Sequence, residues 1–119
     1  MTEAQLQRAV AKVLDASGLL WQHIPNEGKR NPRTGAALKA AGMKAGSPDV
    51  MVYDTFWGAK NVWTNGLAIE LKVGRNKPTA SQLQWHKDLR DRGWRCEVCY
   101  TLDEVLYVLR ECYPHKFPR

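Results

Sequence analysis

Apolar residues recur along the chain with two different periods, and their alternation sets an expected order of elements. Leu6, Ala9, Val10, Val13 and Leu14 follow at helical spacing, with Gln5, Gln7, Arg8 and Lys12 between them. Thr2 and Gln5 have the spacing of a capping box, and Gly18 supplies a stop. Leu19 to Ile24 reads as a short strand ended by Pro25. Glycines then punctuate the segment from Asn26 to Gly46, within which Gly35 to Ala41 has the composition of a short helix capped by Gly42. Val50 to Tyr53 reads as a strand, and Asp54 to Asn65, carrying Phe56, Trp57 and Trp63, as a hairpin region. Gly66 to Val73 is the clearest strand, bounded by Gly66 and Gly74. Thr79, with Gln82 at the capping-box spacing, opens a second long helix that runs to about Arg92 and stops at Gly93. Trp94 to Tyr100 is a further strand. Thr101 or Asp103 opens a last helix, whose Val105, Leu106, Val108, Leu109 and Cys112 share a face and which Pro114 ends.

Strands bracketing helices in this order predict an α/β domain with a small central mixed sheet flanked by helices. The helix between the Glu70 strand and the Trp94 strand is a natural crossover, so those two strands are expected to be parallel. A length of 119 residues suits one domain spanning residues 1–119. No apolar run approaches the roughly 20 residues of a membrane span. Met1-Thr2-Glu3 does not open a secretory signal, so a cytoplasmic setting (a bacterial or phage-infected cytosol) with reduced thiols is expected. The 18 Lys plus Arg against 12 Asp plus Glu give a formal charge of +6, which favours a polyanionic partner: nucleic acid, an anionic membrane surface and an acidic protein would all be attracted.

The strongest chemical signal lies on the Glu70 strand. A period of two sends Ala68, Glu70 and Lys72 one way and Leu67, Ile69, Leu71 and Val73 the other. Asp49 follows Gly46-Ser47-Pro48 and opens the Val50 strand. If those strands are neighbours, two carboxylates converge, and paired carboxylates suit a hard cation such as Mg²⁺ on a phosphate substrate. Lys72 would then offset charge on the phosphate. The plainer reading makes Glu70 and Lys72 a solvent-facing ion pair, worth less than about 1 kcal/mol. Glu3 begins the apolar stripe of the first helix, where a carboxylate also suits the helix N-terminus electrostatically. Residue pattern alone leaves both readings open.

Gly46-Ser47-Pro48-Asp49, Ile69-Glu70-Leu71-Lys72 and Thr79-Ala80-Ser81-Gln82-Leu83-Gln84-Trp85 together resemble the VRR-NUC family, a branch of the PD-(D/E)XK nuclease superfamily. The likeness spans nearly the whole chain. It implies a restriction-endonuclease-like core. It also implies Asp49 and Glu70 as metal-binding carboxylates, with the backbone carbonyl of Leu71 as a further ligand. Lys72 would be the catalytic lysine, and Glu3 and Gln82 would contribute to the site. Gln82, Trp85 and Leu89 share an inward helical face, where a glutamine needs a partner, although a capping-box role for Gln82 can coexist with one. The chain departs from the family at Glu27, where members often have a second glycine, and in the short basic stretch Gly74 to Pro78.

Lys29, Arg30, Arg33, Lys44, Arg75 and Lys77 fall in loops around the acids, where they would meet phosphates without reading bases. Phe56, Trp57 and Trp63 suit an interface, core packing or base stacking. Cys96, Cys99, Cys112 and His115 have zinc-like spacing, but an odd separation on a strand sends Cys96 and Cys99 to opposite faces, and Cys112 continues an apolar stripe. His23 and His86 are not expected to be ligands, although His86, a helical turn from Gln82, could reach substrate. The leading expectation is an endodeoxyribonuclease using Mg²⁺, with Mn²⁺ as substitute. It would hydrolyse phosphodiester bonds in branched DNA such as four-way (Holliday) junctions and work as a homodimer, with neither a membrane nor a small-molecule substrate involved. The alternatives are a non-catalytic structure-specific DNA-binding subunit and a restriction-like enzyme with sequence preference.

Overall fold

A computed structural model describes residues 1–25 and 32–118. Helix α1 (Glu3–Ser17) starts at the expected capping box, in which the Thr2 hydroxyl accepts from the Gln5 N–H and the Gln5 side chain accepts from the Thr2 N–H. It is followed by β1 (Trp21–His23), α2 (Pro32–Ala40), β2 (Val50–Val52), β3 (Phe56–Trp57), β4 (Trp63–Thr64) and β5 (Gly66–Leu71). Helix α3 (Ala80–Asp91), strand β6 (Trp94–Cys99) and helix α4 (Leu102–Cys112) complete the order.

The main sheet has the order β1-β2-β5-β6, with antiparallel β1–β2 and β2–β5 pairs and a parallel β5–β6 pair. The parallel pair follows from the α3 crossover, and the sheet is mixed as expected. Its two faces are covered differently. On one, Leu6, Val10 and Leu14 of α1 and Val105, Val108 and Leu109 of α4 pack against Val50, Val52, Leu67 and Ile69. Each fully buried side chain of this kind contributes about 1.5–3 kcal/mol. On the other face α3 lies over Met51, Ala68 and Cys96, with Leu89 closing the cluster and Trp85 half-buried at its edge.

All six residues of β5 are therefore buried. A strand covered on both faces has no solvent side. The surface ion-pair reading of Glu70 and Lys72 fails for that reason: α3 covers the row to which Glu70 belongs.

Several boundaries differ from the sequence pattern. The first strand is shorter because Leu19 turns into the core and the Leu20 N–H donates to Asp54 Oδ1 at 2.7 Å. The second helix starts earlier, at Pro32. The central strand ends at Leu71, although the Lys72 N–H still donates to the Cys99 carbonyl at 3.0 Å. Thr101 caps α4, its hydroxyl accepting from the Glu104 N–H.

Strands β3 and β4 form a separate two-stranded hairpin, so its three aromatic residues divide between core and surface. Phe56 is buried edge-to-face against Tyr113, with ring centroids 5.2 Å apart, whereas Trp57 and Trp63 are exposed and stack edge-to-face on each other. Cys96 packs on the α3 face, while Cys99 and Cys112 pack on the opposite one, so the zinc-like spacing does not become a site. No helix among the described residues is long and apolar enough to cross a membrane.

Candidate active site

The antiparallel register pairs Val50 with Ile69 and Met51 with Ala68. Continuing it by one residue sets Asp49 opposite Glu70, and directly opposed residues of an antiparallel pair project from the same face. Two carboxylates contributed by different strands are thereby brought side by side. Asp49 is tied down further, since its Oδ2 accepts from the Leu71 N–H at 2.7 Å. Its own carbonyl oxygen accepts from the Ile24 N–H at 2.8 Å and lies 2.9 Å from His23 Nδ1.

The loop before Asp49 is fastened to the first turns of α3. Gly46 has φ of +87°, and a Cβ there would lie 2.6 Å from the Ser81 carbonyl carbon and 2.9 Å from the Gln82 nitrogen. Only glycine permits that approach. The Trp85 indole N–H donates to the Ala45 carbonyl at 3.0 Å, holding the same loop from one turn further along. As a result the start of α3 faces the two acids.

Gln82 uses both ends of its amide. Its Oε1 accepts from the Thr79 N–H at 2.8 Å, closing the capping box, while its Nε2 donates to Glu70 Oε2 at 3.2 Å. The capping and site roles therefore coexist. His86, one turn later and 1% exposed, places Nε2 at 3.4 Å from Glu70 Oε1, close by but longer than a formed hydrogen bond. Burial, reinforced by the charge of Arg90, pushes the His86 imidazole below its ordinary value, favouring the neutral ring.

Taking two adjacent carboxylates out of water disfavours their charged forms. Asp49 is pushed up to about 7, first by burial and then by its hydrogen bond to and charge repulsion from Glu70; the Leu71 N–H and His23 act against the shift. Glu70 is also raised, chiefly by burial, with Asp49 and Lys72 opposing and Glu3 reinforcing the shift. Glu70 is 1% exposed, and its Oε1 is buried without a hydrogen-bond partner. Such a pair is poorly satisfied by protein alone. A divalent cation would relieve both problems, by favouring the charged carboxylates and by giving the orphaned oxygen a partner, so the residues present fit a hard metal ion. Among the described residues no three His, Cys, Asp or Glu side chains form a metal cluster, so a cation here would rely on two carboxylates plus backbone or water oxygen.

Asp49, Glu70, Leu71, Lys72, Gln82 and Glu3 all line one cavity of about 460 Å³. The sequence-derived catalytic and metal residues are therefore gathered in one place. Arg8, Gln7 and His23 line it as well and were not singled out for the site from sequence. Gln7 lies one helical turn beyond Glu3, a spacing that marked its face, and Arg8 follows it. His23 becomes visible only through the pairing of His23 with Val50, next to Asp49. Arg33, Lys44, Arg75 and Lys77 are exposed but do not line the cavity, so any phosphate contact they make lies outside it. Lys29, Arg30 and Glu27 lie outside the described residues.

A mixed sheet covered by helices on both faces, with acids and a lysine converging at strand ends, defines an α/β protein with an acidic site at the ends of its two central strands. The VRR-NUC domain model matches residues 1–102, and the chain belongs to that family of nuclease-type, DNA-binding domains. The solved structures similar to it include the following two. One, described as a VRR_NUC domain protein, is 25% identical with a TM-score of 0.73, over 96% of this chain and 89% of the other. The second, described as a VRR_NUC domain, is 24% identical with a TM-score of 0.58, over 93% of this chain and 96% of the other, a likeness of fold. No protein of curated function matches the sequence.

Proposed function

We propose that the chain is a divalent-metal-dependent endodeoxyribonuclease that hydrolyses phosphodiester bonds in branched DNA, four-way junctions in particular. The observation that carries this reading is the adjacent pair of half-buried Asp49 and buried Glu70 in one cavity with Lys72. Asp49 and Glu70, with the Leu71 carbonyl, would hold Mg²⁺ or, in substitution, Mn²⁺. When bound, such an ion acidifies water and neutralises charge developing on phosphate. Lys72 supplies a positive charge at the reacting phosphate. Gln82 orients the Glu70 carboxylate through its 3.2 Å hydrogen bond. Glu3, in the same cavity, adds negative charge that strengthens attraction for a cation.

The exposed Arg33, Lys44, Arg75 and Lys77 would meet backbone phosphates at a distance from the cut. We assign the exposed Trp57–Trp63 pair to contact between two copies, since a four-way junction presents two related strands to cut and a homodimer places one site on each. The test is incubation with matched four-way junction, flap and linear duplex DNA, in Mg²⁺, Mn²⁺ or EDTA. Junction-selective, metal-dependent product supports the reading. Tight binding without product under any metal would instead indicate a non-catalytic DNA-binding subunit.

A further inference from the structure

We infer that His86 is a positioning residue that, together with Gln82, fixes the Glu70 carboxylate for its role toward a divalent cation. The inference rests on the proposed reading of Asp49 and Glu70 as the metal carboxylates. Gln82 and His86 are four residues apart on α3, so they project from the same helix face. That face lies on the row of the sheet that carries Glu70. The two side chains divide the carboxylate between them: Gln82 Nε2 lies 3.2 Å from Oε2, and His86 Nε2 lies 3.4 Å from Oε1.

The surroundings of His86 sharpen the point. This side of the sheet carries the apolar cluster Met51, Ala68, Leu89 and Cys96, whose Cys96 thiol donates to the His86 carbonyl at 3.7 Å, and His86 itself is 1% exposed. An imidazole among them loses hydration and requires a polar partner, whereas a leucine would pack there without that cost. Glu70 Oε1 is the matching acceptor, equally buried and otherwise without a hydrogen bond. Catalytic hydrogen bonds are often long in unliganded sites and tighten on binding, and 3.4 Å leaves room for that. The Gln82 hydrogen bond on one oxygen and the His86 ring set against the other, one helical turn apart, oppose rotation of the carboxylate about its terminal bond. Side chains that orient a ligating carboxylate in this way typically change metal affinity 10–100-fold when removed.

The test is Mn²⁺ binding by calorimetry to the full chain and to His86→Leu, His86→Asn and His86→Gln, with melting temperatures measured in EDTA. A glutamine can place its amide nitrogen near the position of imidazole Nε2, and an asparagine cannot reach it. Affinity roughly tenfold weaker in His86→Leu and His86→Asn, with recovery to within about threefold of wild type in His86→Gln, supports the inference. If His86→Leu fails to fold, the contrast between asparagine and glutamine decides the matter, since a purely structural histidine gives no such rescue. Mn²⁺ binding by wild type with unchanged affinity in the asparagine variant overturns the His86 role alone. Absence of Mn²⁺ binding by wild type overturns the metal reading and this inference with it.

Discussion

Gly46 packs against Gln82 so closely that a Cβ on the glycine would come within 2.9 Å of the Gln82 backbone nitrogen. The residue that leads into Asp49 and the residue that holds Glu70 are thus locked to each other by backbone contact. Sheet register brings the acids together, and this contact brings the helix to them.

Gly46→Ala should be costly for two independent reasons. Its φ of +87° is strained for any L side chain, by about 1–2 kcal/mol, and the added methyl meets backbone that cannot swing aside, adding about 1–3 kcal/mol. Urea unfolding should show a loss of at least about 2 kcal/mol. Unchanged stability would mean that the loop does not approach α3 as described.

The raised acids give the metal-free protein a definite pH dependence. Asp49 has an ordinary value of 3.8 and is pushed up to about 7 in the fold, so the folded chain binds more protons than the unfolded one between those limits. The contribution of this site to stability is therefore fully present below about pH 4 and is lost as pH rises through about 7. The upward shift of Glu70 has the same sign. Melting in EDTA should show a decline from pH 5 to pH 8 that is smaller in Asp49→Asn, and added Mn²⁺ should restore stability mainly at pH 8. An equal decline in both proteins would contradict the pairing.

All three cysteines should be inert in the native state. Burial pushes Cys96 and Cys112 up to about 11 and Cys99 up to about 12, so almost no thiolate is present at pH 8. Ellman's reagent at pH 8 should find no fast thiol in the native protein and three in guanidinium. A rapidly labelled native thiol would show that one of these packing sites opens.

Lys72→Ala should lower the cleavage rate constant by at least about 100-fold, the usual consequence of removing one stabilising charge or donor from a transition state. Junction binding measured without metal should change by less than threefold, because a single lysine contributes little to total phosphate contact. Equal losses in rate and binding would reduce Lys72 to a DNA contact.

The proposed pairing of two copies through the hairpin predicts a dimeric wild type and a monomeric Trp63→Ser variant by light scattering. Trp57 and Trp63 present an edge-to-face pair with ring centroids 5.4 Å apart, a large apolar area for a two-stranded unit of this size. The melting temperature should barely move, because both rings are exposed. A monomeric wild type would remove the hairpin assignment.

The order of elements could be read from the sequence because it depends on local pattern, whereas Glu3 and the Leu71 carbonyl were expected at the site only through the family resemblance. Periodicity marked α1, α3 and α4, capping boxes fixed the starts of α1 and α3, and the crossover helix fixed the parallel β5–β6 pair. Asp49 and Glu70 were legible as a conditional pair, the condition being that their strands are neighbours. What escaped depends on tertiary packing. The Ala68–Glu70 row carries few apolar residues, so nothing in its alternation announced that α3 would cover it. The sequence offered His86 as a substrate contact one turn from Gln82, and its approach to Glu70 becomes visible only because Glu70 is buried beneath α3. Arg8 and His23 enter the cavity from separate elements, and no sequence spacing connects them to Asp49.

Electron paramagnetic resonance of Mn²⁺ added to wild type and to Asp49→Asn most directly tests whether these two carboxylates hold a cation. The expected result is saturable loss of the free-ion signal in wild type at pH 8, with affinity at least about tenfold weaker in a folded Asp49→Asn variant. Undiminished free-ion signal in wild type, or identical binding by the variant, would contradict the central claim.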